Sequence, residues 1–103
     1  MNLDELPGAD LILPGLDDLR EGRNETVGAL LIAIARTRLS NAGLDIPKVR
    51  TASDPELTLY AQLDAERTDA YPYYNALLDS LNSFCNALEL RKRLSSQPPN
   101  APK

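Results

Sequence analysis

The sequence predicts an all-α fold: a small bundle of three main helices at about 24–42, 54–69 and 70–94, with a short N-terminal helix at about 16–22. Three observations carry that reading. Apolar residues recur at steps of three and four through most of the chain, the spacing of one helix face. Residues that start and stop helices bracket those stretches. No segment shows the strict apolar/polar alternation of a half-buried strand, and no internal repeat is present.

Each element has its own justification. Residues 1–15 contain Pro7, Gly8, Pro14 and Gly15 and read as an irregular leader, with Leu3, Leu6 and Leu11–Leu13 laid against the core. The short helix follows, with Asp17 and Asp18 in a first turn where the positive end of the helix dipole favours carboxylates, and Gly22 at its end. The second helix opens on Asn24, whose side-chain oxygen suits an unpaired N–H at a helix start. Val27, Leu30, Leu31, Ile34 and Leu39 mark its apolar face, widened by Ile32 and Ala33, as in a central helix packed on more than one side. Gly43 supplies the left-handed stop.

After a connection over residues 44–52, Ser53-Asp54-Pro55-Glu56 offers two start signals for the third helix. One is a capping box, the other an Asp54 cap with Pro55 at the first helical position. Its stripe reads Leu57, Tyr60 and Ala61, with Leu59 and Leu63 beside it. Asp69 can cap the fourth helix, with Pro72 in its first turn, and Tyr74, Leu77, Leu78, Leu81, Phe84, Cys85 and Leu88 give the strongest amphipathic pattern in the chain. Arg91, Lys92 and Arg93 lie at the negative end of its dipole. Residues 16–94 thus form one helical domain, and the tail at 95–103, with three prolines and no apolar anchor, reads as disordered.

Composition narrows the function. Hydrophobic residues make up 43% and charged residues 25%, a globular balance, and with one Phe, four Tyr and no Trp the core must be aliphatic. The net charge of −4 argues against nucleic-acid binding, whose affinity comes from neutralising phosphates. The absence of histidine removes the commonest general base and metal ligand, and a single cysteine, Cys85, makes neither a zinc site nor a redox pair. No glycine-rich loop precedes a helix in the phosphate-cradling pattern. These features weigh against an enzyme and imply no cofactor. The acidic N-terminus lacks a signal-peptide pattern, the longest apolar run (residues 29–35) is too short for a membrane span, and the lone cysteine suits a reducing cytoplasm.

Three groups of residues remain as functional candidates. Tyr71, Tyr73 and Tyr74 surround Pro72 at a helix junction, where only one or two rings can face the core. An exposed tyrosine there suits a protein interface, whereas a fully packed corner would only fix the junction. Arg36 and Arg38 leave the apolar stripe of the second helix and could bind a partner's carboxylates or phosphates, or pair internally with Asp17, Asp18, Glu21 or Glu25. The acidic pairs Asp18/Glu21 and Glu66/Asp69, if brought face to face, would suit magnesium in nucleotide chemistry of the all-α type. As isolated pairs they are helix-terminal charge. Cys85 falls on the apolar stripe and reads as a small core residue. The function expected from the sequence is a non-enzymatic protein-interaction module that binds a protein partner or self-associates, with a homodimer as one form of that assembly. A magnesium-dependent nucleotide-handling enzyme is the alternative.

Overall fold

A computed structural model describes residues 3–96, with side chains through Leu94. The chain runs through a 3₁₀ turn at Leu3–Glu5 and five helices: α1 (Ala9–Arg20), α2 (Val27–Ile34), α3 (Arg36–Asn41), α4 (Pro55–Glu66) and α5 (Ala70–Ser96). The described residues contain no strand, so the all-α bundle expected from the periodicity is the observed architecture. Of the proposed tail, Ser95 and Ser96 belong to α5 and residues 97–103 lie outside the described residues.

The largest departure from the sequence reading is at the N-terminus. The irregular leader and the short helix at 16–22 are replaced by one helix of 12 residues, α1, beginning at Ala9. Ala9, Ile12, Leu16 and Leu19 recur at steps of three and four and are all buried, and that stripe outweighs the proline within it. Pro14 lies on the exposed side, where the Asp10 carbonyl that loses its N–H partner can be solvated. Gly15 has a separate purpose. A Cβ there would meet the backbone of Gly28 at 2.3 Å, and one on Gly28 would meet Gly15 Cα at 2.8 Å. α1 and α2 therefore cross with backbone against backbone, a separation that only glycine on both sides permits.

α2 is the central helix, packed against α1, α4 and α5. Ala29, Leu30, Leu31 and Ile32 are fully buried, so consecutive positions right around the helix meet the core. Its start is Thr26 rather than Asn24. The Thr26 hydroxyl accepts from Ala29 N–H at 3.2 Å and donates to Asp18 Oδ2 at 2.7 Å, tying α2 to the end of α1. Asn24 instead donates to the Arg50 carbonyl at 3.2 Å.

The single helix expected over 24–42 is broken at Ala35 (φ −108°, ψ 24°), which redirects the chain into α3. No proline or glycine stands at the break. The turn buries Leu39 and brings Arg38 to α5. α1 and α3 both end in the same way, with Gly22 and Gly43 at positive φ. In each the third residue after the helix reaches back five positions (Arg23 N–H to Asp18 O, Leu44 N–H to Leu39 O) and the glycine N–H closes the inner bond.

Pro55 sits in the first turn of α4 as expected, but α4 ends at Glu66 rather than 69. Its core stripe is Leu59 and Leu63; Leu57 and Ala61, which the sequence reading put on the main stripe, are exposed. One side of α4 must face both α2 and α5, and the Leu59/Leu63 side takes that place. α5, 27 residues and about 40 Å at the α-helical rise, contributes Leu77, Leu81, Phe84, Cys85 and Leu88 to the core as the spacing predicted.

Candidate functional site

α4 and α5 form a hairpin joined by residues 67–69. Tyr60 on α4 and Tyr74 on α5 meet in it edge to face, with ring centroids 5.5 Å apart and planes at 88°. That geometry sets the positive edge of one ring against the negative face of the other. One turn outward on each helix, in steps of three residues, stand Leu57 and Tyr71, which are 68% and 65% exposed. Together with Pro55 these residues line an open cleft of about 750 Å³, edged by Ser53, Asp54 and Glu56. Among the described residues, neither lysine nor arginine lines it. Burial pushes the Tyr74 hydroxyl above the ordinary tyrosine pKa, and the nearby Glu56 carboxylate adds to the effect, so the phenol stays protonated as a hydrogen-bond donor.

Of the three candidate tyrosines, Tyr71 and Tyr74 enter this cleft. Tyr73 turns to the other side, where the Arg67 guanidinium lies 3.8 Å from its ring centroid. Arg67 also forks onto Asp69 at 2.8 and 3.2 Å, so cation, ring and carboxylate clamp the α4–α5 turn. The sequence reading missed Leu57 and Tyr60 as parts of the site. The signal was present: Leu57/Tyr60 and Tyr71/Tyr74 are matched three-residue steps on two helices joined by a short turn.

A second open groove, of about 770 Å³, adjoins the first at Glu56 and runs between α5 and the α2–α3 break. Arg36 and Arg38 both line it. Arg38 is held by α5: its Nε and Nη2 bind Glu89 at 2.6 and 2.9 Å, and its remaining donors reach Asn82 and Asn86 at 2.7 and 2.5 Å. Asn82, Asn86 and Glu89 follow at steps of four and three, so one guanidinium reads a single face of α5. The Arg38 hydrogen bonds hold the Glu89 carboxyl below the usual carboxylate range. Lys92 on α5 donates in turn to the Asn41 carbonyl at the end of α3. Arg36 is half-buried and reaches the Thr51 hydroxyl at 3.4 Å. The pairing with Asp17, Asp18 and Glu21 falls instead to Arg20 and Arg23, at 2.6–2.8 Å.

No family model, curated protein or solved structure matches this chain. The site must therefore be read from its own geometry.

Three of the four residues of the acidic pairs are engaged by neighbours, and Glu66 is exposed at the end of α4. Asp18 accepts from Arg23 and Thr26, Glu21 pairs with the same Arg23, and Asp69 is held by Arg67, which lowers its pKa. Among the described residues no group of three or more His, Cys, Asp or Glu is placed to hold a metal ion. Cys85 is buried, and that burial raises its pKa despite the opposing influence of Arg38. A thiol in that state is a poor nucleophile. No helix among the described residues is long and apolar enough to cross a membrane.

Proposed function

We propose that this chain is a non-enzymatic protein-interaction module of the cytoplasm, and that the tyrosine cleft between α4 and α5 is its docking surface. The observation that carries the reading is the two-thirds exposure of Leu57 and Tyr71 beside the Tyr60/Tyr74 pair. Tyrosine side chains in a concave site rimmed by polar groups are enriched at the centres of protein interfaces, and Leu57 adds apolar area beside them. Tyr60 and Tyr74, already held against each other, also lose little conformational freedom when a partner arrives. The cytoplasmic setting rests on the lone cysteine.

The test is photo-crosslinking from within the cleft. A benzoylphenylalanine in place of Tyr71 is expected to yield specific protein adducts in the cells that make the protein, and one in place of the exposed Ser83 on α5 is not. Equal yields from the two positions, or no adduct from Tyr71, would refute the assignment.

A further inference from the structure

The cleft has the chemistry of a polyproline-binding groove, and this chain carries a segment that fits it. We propose that the cleft binds the Pro99-x-x-Pro102-Lys103 segment of a second copy of the chain, so that the protein self-associates tail to cleft. The inference rests on the cleft being a docking surface and names its occupant.

Three observations support it. The first is shape. Tyr60 and Tyr74 stand perpendicular to each other, and Tyr71 rises beside them largely exposed. Proline-rich segments dock in grooves lined by aromatic rings because their extended left-handed helix is ordered at little cost, and Tyr60, Tyr71 and Tyr74 line this one. In that helix, with three residues per turn at about 3.1 Å each, prolines at the sequence spacing of Pro99 and Pro102 would bring their rings to one edge, roughly 9 Å apart.

The second is charge. Asp54 and Glu56 stand at the cleft, and among the described residues its lining holds no cation. Lys103 directly follows Pro102, so a segment lying along the cleft places its ammonium at that acidic edge. The pairing would set the direction in which the segment lies and speed its association.

The third is reach, and it decides between the chain's own tail and a second copy. α5 continues from Tyr74 to Ser96, 22 residues or about 33 Å of helix. From Ser96 to Pro99 an extended chain covers only about 10 Å, and from Ser96 to Lys103 about 25 Å at most. The segment cannot return to the cleft of its own molecule, so the contact must form between copies.

The experiment uses two full-length variants and one peptide. A chain carrying Pro99→Ala and Pro102→Ala keeps its cleft and loses the ligand; a chain carrying Tyr71→Ala keeps the ligand and loses part of the cleft. Sedimentation velocity over a concentration series is expected to show self-association of the unaltered protein and at least a tenfold weakening in each variant alone, with association regained when the two variants are mixed. A synthetic peptide of residues 97–103, titrated onto the proline-substituted chain, is expected to shift the NMR signals of Leu57, Tyr60, Tyr71 and Tyr74 saturably, and Lys103→Glu in the peptide to weaken that binding. An unaltered protein that stays monomeric throughout, undiminished self-association in the proline variant, or a peptide that leaves the cleft signals unmoved would overturn the tail as occupant. If Tyr71 crosslinking still captures a protein specifically, the docking surface stands with a different partner. If the crosslinking fails as well, both readings fall.

Discussion

Gly15→Ala tests the packing of this fold most directly, because local and tertiary reasoning predict opposite signs. Glycine inside a helix is about 1 kcal/mol less favourable than alanine, so propensity alone makes the substitution stabilising. The crossing with α2 reverses this. The new Cβ would lie 2.3 Å from Gly28 C, 2.5 Å from its oxygen and 2.8 Å from Ala29 N, all backbone atoms with no rotamer to yield. Restoring ordinary contact, which begins near 3.4 Å, requires α1 and α2 to part by about 1 Å along a shared core. Overpacking of this kind costs about 1–3 kcal/mol, and a clash with rigid backbone belongs at the upper end, leaving a net loss near 2 kcal/mol. Urea unfolding followed by circular dichroism would show it as a midpoint lowered by roughly 0.7–2 M, since m for a small domain is about 1–3 kcal/mol/M. Gly15→Ala combined with Gly28→Ala should cost less than the sum of the single changes, because helices already parted by one methyl leave room for the other. A midpoint equal to or above that of the unaltered protein would refute the close crossing.

Two further outcomes follow from the same structure. Pro14→Ala restores an N–H for the Asp10 carbonyl on an exposed side of α1 without touching the core; a helix-interior proline costs about 3 kcal/mol relative to alanine, of which ~1 kcal/mol is returned by its stiffening of the unfolded chain. The melting temperature should therefore rise by several degrees, and a fall would show that the proline shapes α1 in a way the core needs. Glu89 and Asp69 both have lowered pKa values, held down by Arg38 and Arg67. Such carboxylates bind protons less readily folded than unfolded, so their contribution is present above the unfolded pKa near pH 4 and fades as pH falls through the folded value. Glu89→Gln should thus lie furthest below the unaltered protein at neutral pH and converge with it in acid; a stability gap constant from pH 7 to pH 3 would argue that the Arg38 fork does not persist in solution.

What the sequence disclosed and what it hid divide along a physical line. The apolar stripe of α5 was legible because Leu77, Leu81, Phe84, Cys85 and Leu88 repeat on one face whatever packs against them. The stops at Gly22 and Gly43 were legible because a left-handed residue is a local requirement. The helix over Ala9–Arg20 was not, since Pro14 and Gly15 argue locally for a break and Gly15 is explained only by a second glycine on another helix. Arg38 posed the same problem: its partner Glu89 lies 51 positions away and on no motif. The site was half legible. The tyrosines around Pro72 marked the place, but which of them faces outward depended on how α4 rolls between α2 and α5.

That roll also bears on where a partner can bind. In the sequence, α2 has the largest apolar excess and invites an intermolecular role, but its centre is wholly buried by α1, α4 and α5, so that excess is consumed inside the molecule. Among the described residues, the large hydrophobic side chains left exposed lie elsewhere: Leu57 and Tyr71 at the cleft, and Leu90 and Leu94 far along α5. Leu90 and Leu94 stand one turn apart on an exposed side of the helix. Leu57 and Tyr71 stand on two helices braced by an aromatic pair and a clamped turn, so a side chain entering between them meets surfaces on both sides and displaces water from each. Leu57 and Tyr71 thus offer an entering side chain two walls to pack against, which exposure alone does not provide.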